Sequence, residues 1–404
     1  MRSPDVILLF VTRVLRMFAY GTLSPILGVY LLKLDFTEFE VGLLLGLTLA
    51  GDTLISLWLT TRADRVGRKR MLMVGALLMV LGGGVFAITE QFWLLALAAI
   101  IGVVSPHGKE VGPFLPIEQA ALSQNLSADQ RISIFAWYQL AGMFAAALGT
   151  FVSGQFIGEF SKRTVEPLVS YRAVLFVYAG VGVVLAILFI GISRASEAST
   201  HMQPGKRFGL HRSRGIVFKL SGLFAIDAFG GGFILDTAMA AWFYTRFEAN
   251  EKQLGNILSA ANLLAGFSGL AAARLARRFG LLNTMVFTHV PSNLLLLLVP
   301  FMPTLNWAVA VLLLRFAISQ MDVPTRQSYT VAVVDPDERS AAAGVTGVAR
   351  STGAALSPPL AGILKAMPLL SGGLFFVAAG FMKLGYDGLL YLLFRRVQLP
   401  EESM

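Results

Sequence analysis

The chain has no cysteine among its 404 residues and only four histidines, His107, His201, His211 and His289. Without thiols there are no disulfides, no thiolate metal sites and no cysteine nucleophile, and the histidines lack the spacing that a metal centre needs. Charge is scarce as well, at 14% of residues against about 25% in an ordinary soluble domain. Apolar residues fill the difference, at 55% hydrophobic and a mean hydropathy of +0.69. That composition excludes a soluble globular protein and makes the lipid bilayer the solvent for most of the chain. The net charge of +9 sits in short basic clusters between apolar runs. This is the positive-inside pattern of a membrane protein, and it excludes a nucleic-acid partner. The first apolar run, from about Val6 to Leu32, is too long for a signal sequence and has no small-residue cleavage site, so it reads as a membrane helix.

Twelve segments are long and apolar enough to span: 6–32, 41–60, 71–89, 92–124, 131–157, 171–193, 216–246, 253–273, 282–302, 306–333, 340–366 and 372–394. Basic clusters follow the second (Arg65–Arg70), sixth (Lys206, Arg207, Arg212, Arg214), eighth (Arg274, Arg277, Arg278) and twelfth (Arg395, Arg396), whereas the loop after the first carries Asp35, Glu38 and Glu40. Both termini are therefore expected in the cytoplasm. The polar stretch 193–215 reads as a cytoplasmic linker between a first half, 1–192, and a second, 216–404.

The two halves repeat one another. At an offset of 208, Pro116-x-Glu118-Gln119 aligns with Pro324-x-Arg326-Gln327, Asp129-x-Arg131 with Asp337-x-Arg339, Ala146-Ala147-Leu148 with Ala354-Ala355-Leu356, and Gly154 with Gly362. At an offset of 213, Gly42 meets Gly255 and Gly67 meets Gly280. At an offset of 211, Phe18 meets Phe229, and Arg16 falls opposite Asp227. Parallel repeats of six spans are a transporter architecture.

One short loop is the most specific motif. Between the second and third spans runs Asp64-Arg65-Val66-Gly67-Arg68-Lys69-Arg70, an aspartate in a tight basic turn, with Thr60 at its start and a degenerate copy, Leu275–Gly280, in the second half. Gly67 suits the positive φ of such a turn. The run resembles the G-x-x-x-D-R-x-G-R-R signature of the major facilitator superfamily, matched at Asp64, Arg65, Gly67, Arg68 and Lys69. The resemblance implies an all-α membrane protein of twelve transmembrane helices in two pseudo-symmetric six-helix halves. It further implies a secondary transporter of the drug-exporter-like bacterial type, with no enzymatic activity and no cofactor, a monomer in the bacterial inner membrane. By the same resemblance Asp64 would meet the N-terminus of helix 11 near Ser340, and Glu118, Arg131, Arg326 and Arg339 would form charge networks that latch the halves.

Ionisable residues at membrane depth default to function. Arg16 lies roughly 15 Å in from the cytoplasmic end of the first span, near the midplane. It is expected in a cavity or an ion pair, with Asp227 of the other half as the proposed partner, while Arg13 is expected to snorkel to the interface. Asp52 sits far from either boundary of its span and reads either as a protonatable coupling site or as a structural hydrogen bond; Asp236 reads as hydrated near the outer side. Lys109 and Glu110 lie in a segment with Gly108, Gly112, Pro113 and Pro116 that is expected to kink or unwind. In the tenth span Arg315, Gln320, Asp322 and Arg326 form a polar stretch, with Asp322 and Arg326 one helical turn apart.

These features support proton-coupled movement of a small organic solute by alternating access, most readily as drug/H+ antiport. The arginines of the first span point to an alternative, transport of an anionic metabolite or siderophore-like acid. A membrane-embedded sensor or enzyme has neither a nucleotide loop nor a catalytic constellation to support it.

Overall fold

The computed structural model describes residues 4–109, 112–124, 126, 128–160, 166–193, 196–197, 211–335 and 338–396. Among them every regular element is helical. The chain makes twelve passes. The first is α1 (Pro4–Leu23) with α2 (Leu27–Lys33); the second and third are α3 (Glu38–Val66) and α4 (Arg68–Ile88); the fourth is α5 (Phe92–Ile101) with α6 (Phe114–Gln124). Passes five and six are α7 (Ala128–Phe160) and α8 (Pro167–Ile190), and the seventh is α9 (Arg214–Phe233) with α10 (Asp236–Phe247). Then come α11 (Glu251–Phe279), α12 (Leu281–Leu298, prolonged by a 3-10 turn), α13 (Leu305–Ser319) with α14 (Asp322–Ala332), α15 (Arg339–Ala366) and α16 (Leu374–Phe394). Ten of the passes carry a stretch long and apolar enough to cross a membrane. The other two, α5–α6 and α15, are shortened by a break or made polar by their sequence.

The breaks recur with the repeat. Passes one, four, seven and ten are each two helices in series, interrupted at 24–26, at 102–109 with 112–113, at 234–235 and at 320–321. Pro25 removes a backbone donor at the first. In the fourth, Gly108 (φ +60°) and Gly112 (φ +80°) take left-handed conformations in a segment that also holds Pro106 and Pro113, which is the unwinding expected there. Local chemistry also sets the starts: Thr37 opens α3 with a capping box, accepting from the Glu40 N–H at 3.3 Å while the Glu40 carboxylate accepts from the Thr37 N–H at 2.8 Å.

Packing divides the chain into two compact units, Met1–Gln203 with Asp236–Ser259, and Pro204–Leu235 with Ala260–Met404. Chain order alone puts the divide at the 193–215 linker. By packing, α10 and the first turns of α11 belong with the first unit, where α10 meets α2 and Gly255 meets Gly154. The repeat is visible in backbone contacts inside each unit. A Cβ on Gly21 of α1 would lie 2.0 Å from the Ala146 carbonyl oxygen of α7, and one on Gly232 of α9 would lie 2.4 Å from that of Ala354 on α15. These are the positions that the offsets of 211 and 208 equate. Small residues at both sites let the helix pairs approach to backbone contact.

Candidate functional site

The first unit buries one ion pair completely. Arg16 donates through both terminal nitrogens to the Glu118 carboxylate, at 2.5 and 2.7 Å, and both side chains are fully buried. The Tyr138 hydroxyl donates to the same carboxylate at 2.5 Å, and the Phe114 ring lies 4.5 Å beneath the guanidinium. A bidentate pair with its remaining lone pairs engaged is the arrangement in which two desolvated charges offset each other's cost. Arg13 lies one turn earlier and is 2% exposed. It does not snorkel: its Nε donates to the Tyr138 carbonyl at 2.7 Å and its terminal nitrogen to Gln139 at 2.5 Å, in space left by Gly142. The helix-bound carbonyl of Tyr138 has a second lone pair for this purpose.

Asp52 is half-buried on α3 and accepts from the backbone N–H of Gly112 in the unwound part of pass four. Its carboxylate holds one end of the break. The loop signature is built around Gly67, whose φ of +114° joins α3 to α4. Glu197 accepts from the N–H groups of Arg68 (2.6 Å) and Lys69 (3.2 Å), capping α4 where its dipole favours an anion, and Asp5 accepts from Ser193 and Ser196 next to it. Arg68 is buried with its guanidinium on the Ser196 carbonyl, while Arg65 is exposed. Asp64 lies in the last turn of α3, with its side chain outside the described residues.

The second unit holds a larger network. Asp227 of α9 accepts from Lys383 of α16 at 2.6 Å on one oxygen and from Arg326 of α14 at 3.2 Å on the other. Arg326 also donates to Asp322 at 2.7 Å, the one-turn pair expected from their spacing. On α12, His289 Nδ1 lies 2.7 Å from Asp387, whose other oxygen accepts from Asn293 at 2.9 Å, and His289 Nε2 lies 3.9 Å from Asp227. All of these side chains are buried. Arg315 is buried on α13 with its guanidinium 4.9 Å from the Phe316 ring.

The expected Arg16–Asp227 pair is therefore replaced by three others. Arg16 takes Glu118, and Asp227 takes Lys383 and Arg326, each closed within its own unit. Glu118 and Arg326 are likewise not latch residues at a cytoplasmic end but the buried centres of these networks. Arg339 is exposed; the side chain of Arg131 and the whole of Glu110 lie outside the described residues. Sequence reasoning missed Asn293, Lys383 and Asp387, gave His289 no role, and offered Tyr138 only as an aromatic that could meet substrate, not as a partner of Glu118. The signal was present, since His289 and Asn293, and Lys383 and Asp387, are each one turn apart within apolar spans.

Outside the membrane, Glu338 caps the N-terminus of α9. Burial pushes its carboxyl up, but the Ser213 hydroxyl and the N–H groups of His211, Ser213 and Arg212 outweigh this and bring it down to about 2.

Known proteins agree with this architecture. An uncharacterized membrane protein of Saccharomyces cerevisiae is 30% identical over 395 residues, covering 90% of this chain and 88% of that one. The quinolone resistance protein NorA of Staphylococcus aureus is 25% identical over 198 residues, about half of each chain (49% and 47%). A crystal structure of a variant of the nucleoside transporter NupG superposes with a TM-score of 0.80 at 12% identity, over 96% of this chain and 100% of that one, a likeness of fold. The model of the Major Facilitator Superfamily matches residues 9–358, and with the twelve passes, the repeat and the Gly67 loop this makes the chain a multi-pass membrane transporter belonging to that superfamily.

Proposed function

We propose that this transporter is proton-coupled and moves a small organic solute by alternating access, with efflux as its direction and the monomer as its working unit. The observation that carries the reading is the buried network of Asp227, Lys383, Arg326, His289 and Asp387. Ionisable groups at membrane depth are retained where an ion or substrate uses them, and carboxylates and imidazoles there are natural proton carriers. The efflux direction rests on the similarity to the quinolone resistance protein. The basic clusters support both termini in the cytoplasm, and the plasma membrane, in a bacterium the inner one, is the location taken with this reading. Asp64, Arg65, Gly67 and Arg68 then act as the cytoplasmic gating loop, so Asp64→Asn leaves the protein folded and slows turnover.

An anionic solute is the second reading, favoured by Arg350 of α15. It is half-buried, its charge acts on Asp227, and no described residue gives it a hydrogen bond.

Purified protein in proteoliposomes, given an imposed pH gradient and separately a quinolone, a lipophilic cationic dye and an aromatic carboxylate, tests both readings. Gradient-driven flux of the quinolone or dye supports efflux; flux of the carboxylate alone selects the anion reading. Flux of all three that ignores the gradient rejects proton coupling.

A further inference from the structure

His289 stands between two carboxylates. A contact of 2.7 Å between Nδ1 and Asp387 holds one proton; Asn293 lies 3.2 Å from Nδ1 but donates at 2.9 Å to the other Asp387 oxygen, and with Asp387 ionised Nδ1 is the donor. That fixes the tautomer of the neutral ring and turns the lone pair of Nε2 toward Asp227 Oδ1, 3.9 Å away. A lone pair facing a carboxylate oxygen gains nothing. The same oxygen is already held by the Lys383 ammonium at 2.6 Å.

Adding one proton changes the balance. With an N–H on Nε2 the imidazolium is a cation with donors at both ends, one on Asp387 and one aimed at Asp227. It then competes with Lys383 for a single oxygen. The titratable groups around it come from the neighbouring helices: Asp227 from α9, Asp322 and Arg326 from α14, Arg350 from α15, and Lys383, Tyr386 and Asp387 from α16. With the ring neutral, the carboxylates of Asp227, Asp322 and Asp387 are matched in number by Arg326, Lys383 and Arg350. Protonation leaves the cluster with one positive charge in excess, and the cation released most readily is Lys383, which shares its oxygen with the imidazolium.

We propose that His289 is the proton-binding group of this transporter, and that its protonation draws Asp227 away from Lys383. The inference rests on the proton-coupled reading above and names the atom, Nε2, at which the proton is taken up. No bond other than N–H forms, and the proton returns to water when the ring is again neutral.

The test is substrate-independent. The protein is labelled with 13C-histidine, purified in detergent and followed by NMR from about pH 5 to 8, where histidine changes charge. His289→Gln identifies the His289 signal among the four. The expected result is a His289 signal that gains the protonated form at the acid end of that range and responds to Lys383→Met, where Asp227 has lost its ammonium, by holding more of the protonated form at a given pH. A His289 signal that stays neutral in both proteins, or one whose titration Lys383→Met leaves in place, overturns the proposal. Should His289→Gln not fold, Asp387→Asn identifies the signal instead by displacing it toward lower pH. Proteoliposome flux of whichever of the three probes above the wild type carries separates this from the broader reading. Loss of gradient-driven flux with counterflow retained in His289→Gln supports the proposal, and wild-type dependence on the gradient in that variant overturns it. A wild-type protein indifferent to the gradient overturns the proton-coupled reading itself and leaves the titration as a property of the cluster alone.

Discussion

Arg16 and Glu118 form in the first unit the same ion pair that Asp227 and Arg326 form in the second, with the charges exchanged. The offsets of 211 and 208 equate Arg16 with Asp227 and Glu118 with Arg326, so the position of the pair is kept while its polarity is reversed. What the repeat preserves is neutrality at one place in each unit.

For the first pair, the expected outcome is a strong coupling. Removing one partner, as in Arg16→Met or Glu118→Leu, strands a buried charge and costs about 3–5 kcal/mol, whereas the double variant costs much less than the sum. Thermal unfolding of the four proteins in detergent measures this. A coupling energy near zero would mean that the pair is not what stabilises the contact of α1 with α6.

Backbone approach gives a second prediction. Gly21→Leu and Gly232→Leu drive a side chain into the carbonyls of Ala146 and Ala354, and each should abolish accumulation of folded protein. Gly180→Ala, where a Cβ meets nothing within 4 Å, should be neutral or stabilising by up to about 1 kcal/mol. Size-exclusion profiles of the three variants decide; a monodisperse Gly21→Leu protein refutes the close contact.

Asp52 separates charge from hydrogen bonding. Asp52→Asn keeps an acceptor for the Gly112 N–H and should retain both stability and the pH dependence of flux. Asp52→Ala leaves that N–H without its acceptor and should lose about 1–3 kcal/mol. Loss of gradient-driven flux in the asparagine variant would return Asp52 to the coupling machinery.

Glu338 predicts a pH dependence of known sign. Its carboxyl is held at about 2, below the ordinary value of 4.5, so its stabilisation is complete above pH 4.5 and is lost as the pH falls toward 2. The difference in melting temperature between wild type and Glu338→Gln should thus be constant near neutrality and close as the pH falls from 4.5 toward 2. A gap that instead widens on acidification contradicts the cap.

Much of this was legible in the chain. Apolar length and basic clusters placed the passes, Gly108, Gly112 and Pro113 marked the unwound segment, and the one-turn spacing of Asp322 and Arg326 announced their pair. Partner choice was not legible for Arg16. Equivalent positions in two repeats are related by symmetry, which does not bring them into contact, and the carboxylate that does reach Arg16 lies 102 residues away on another pass. Lys383, Asp387 and His289 were passed over for a related reason. Each sits in an apolar helix with one polar neighbour a turn away, and its meaning comes only from the partners that packing supplies from other helices.

The same separation along the chain has a consequence for biogenesis. The ribosome delivers α1, with Arg13 and Arg16, well before Glu118 and Tyr138 exist, and an arginine at the centre of a lone span disfavours its insertion by about 2.5–3.5 kcal/mol. In the second unit it is α9 that emerges early, carrying Asp227 about a hundred residues ahead of Arg326. Both leading spans are thus poor entrants to lipid on their own and have to be held beside the translocon, or in its protein-lined exit, until a later pass brings the opposite charge. Truncated nascent chains ending before residue 118 should leave α1 incompletely inserted, and those that include α6 and α7 should rescue it.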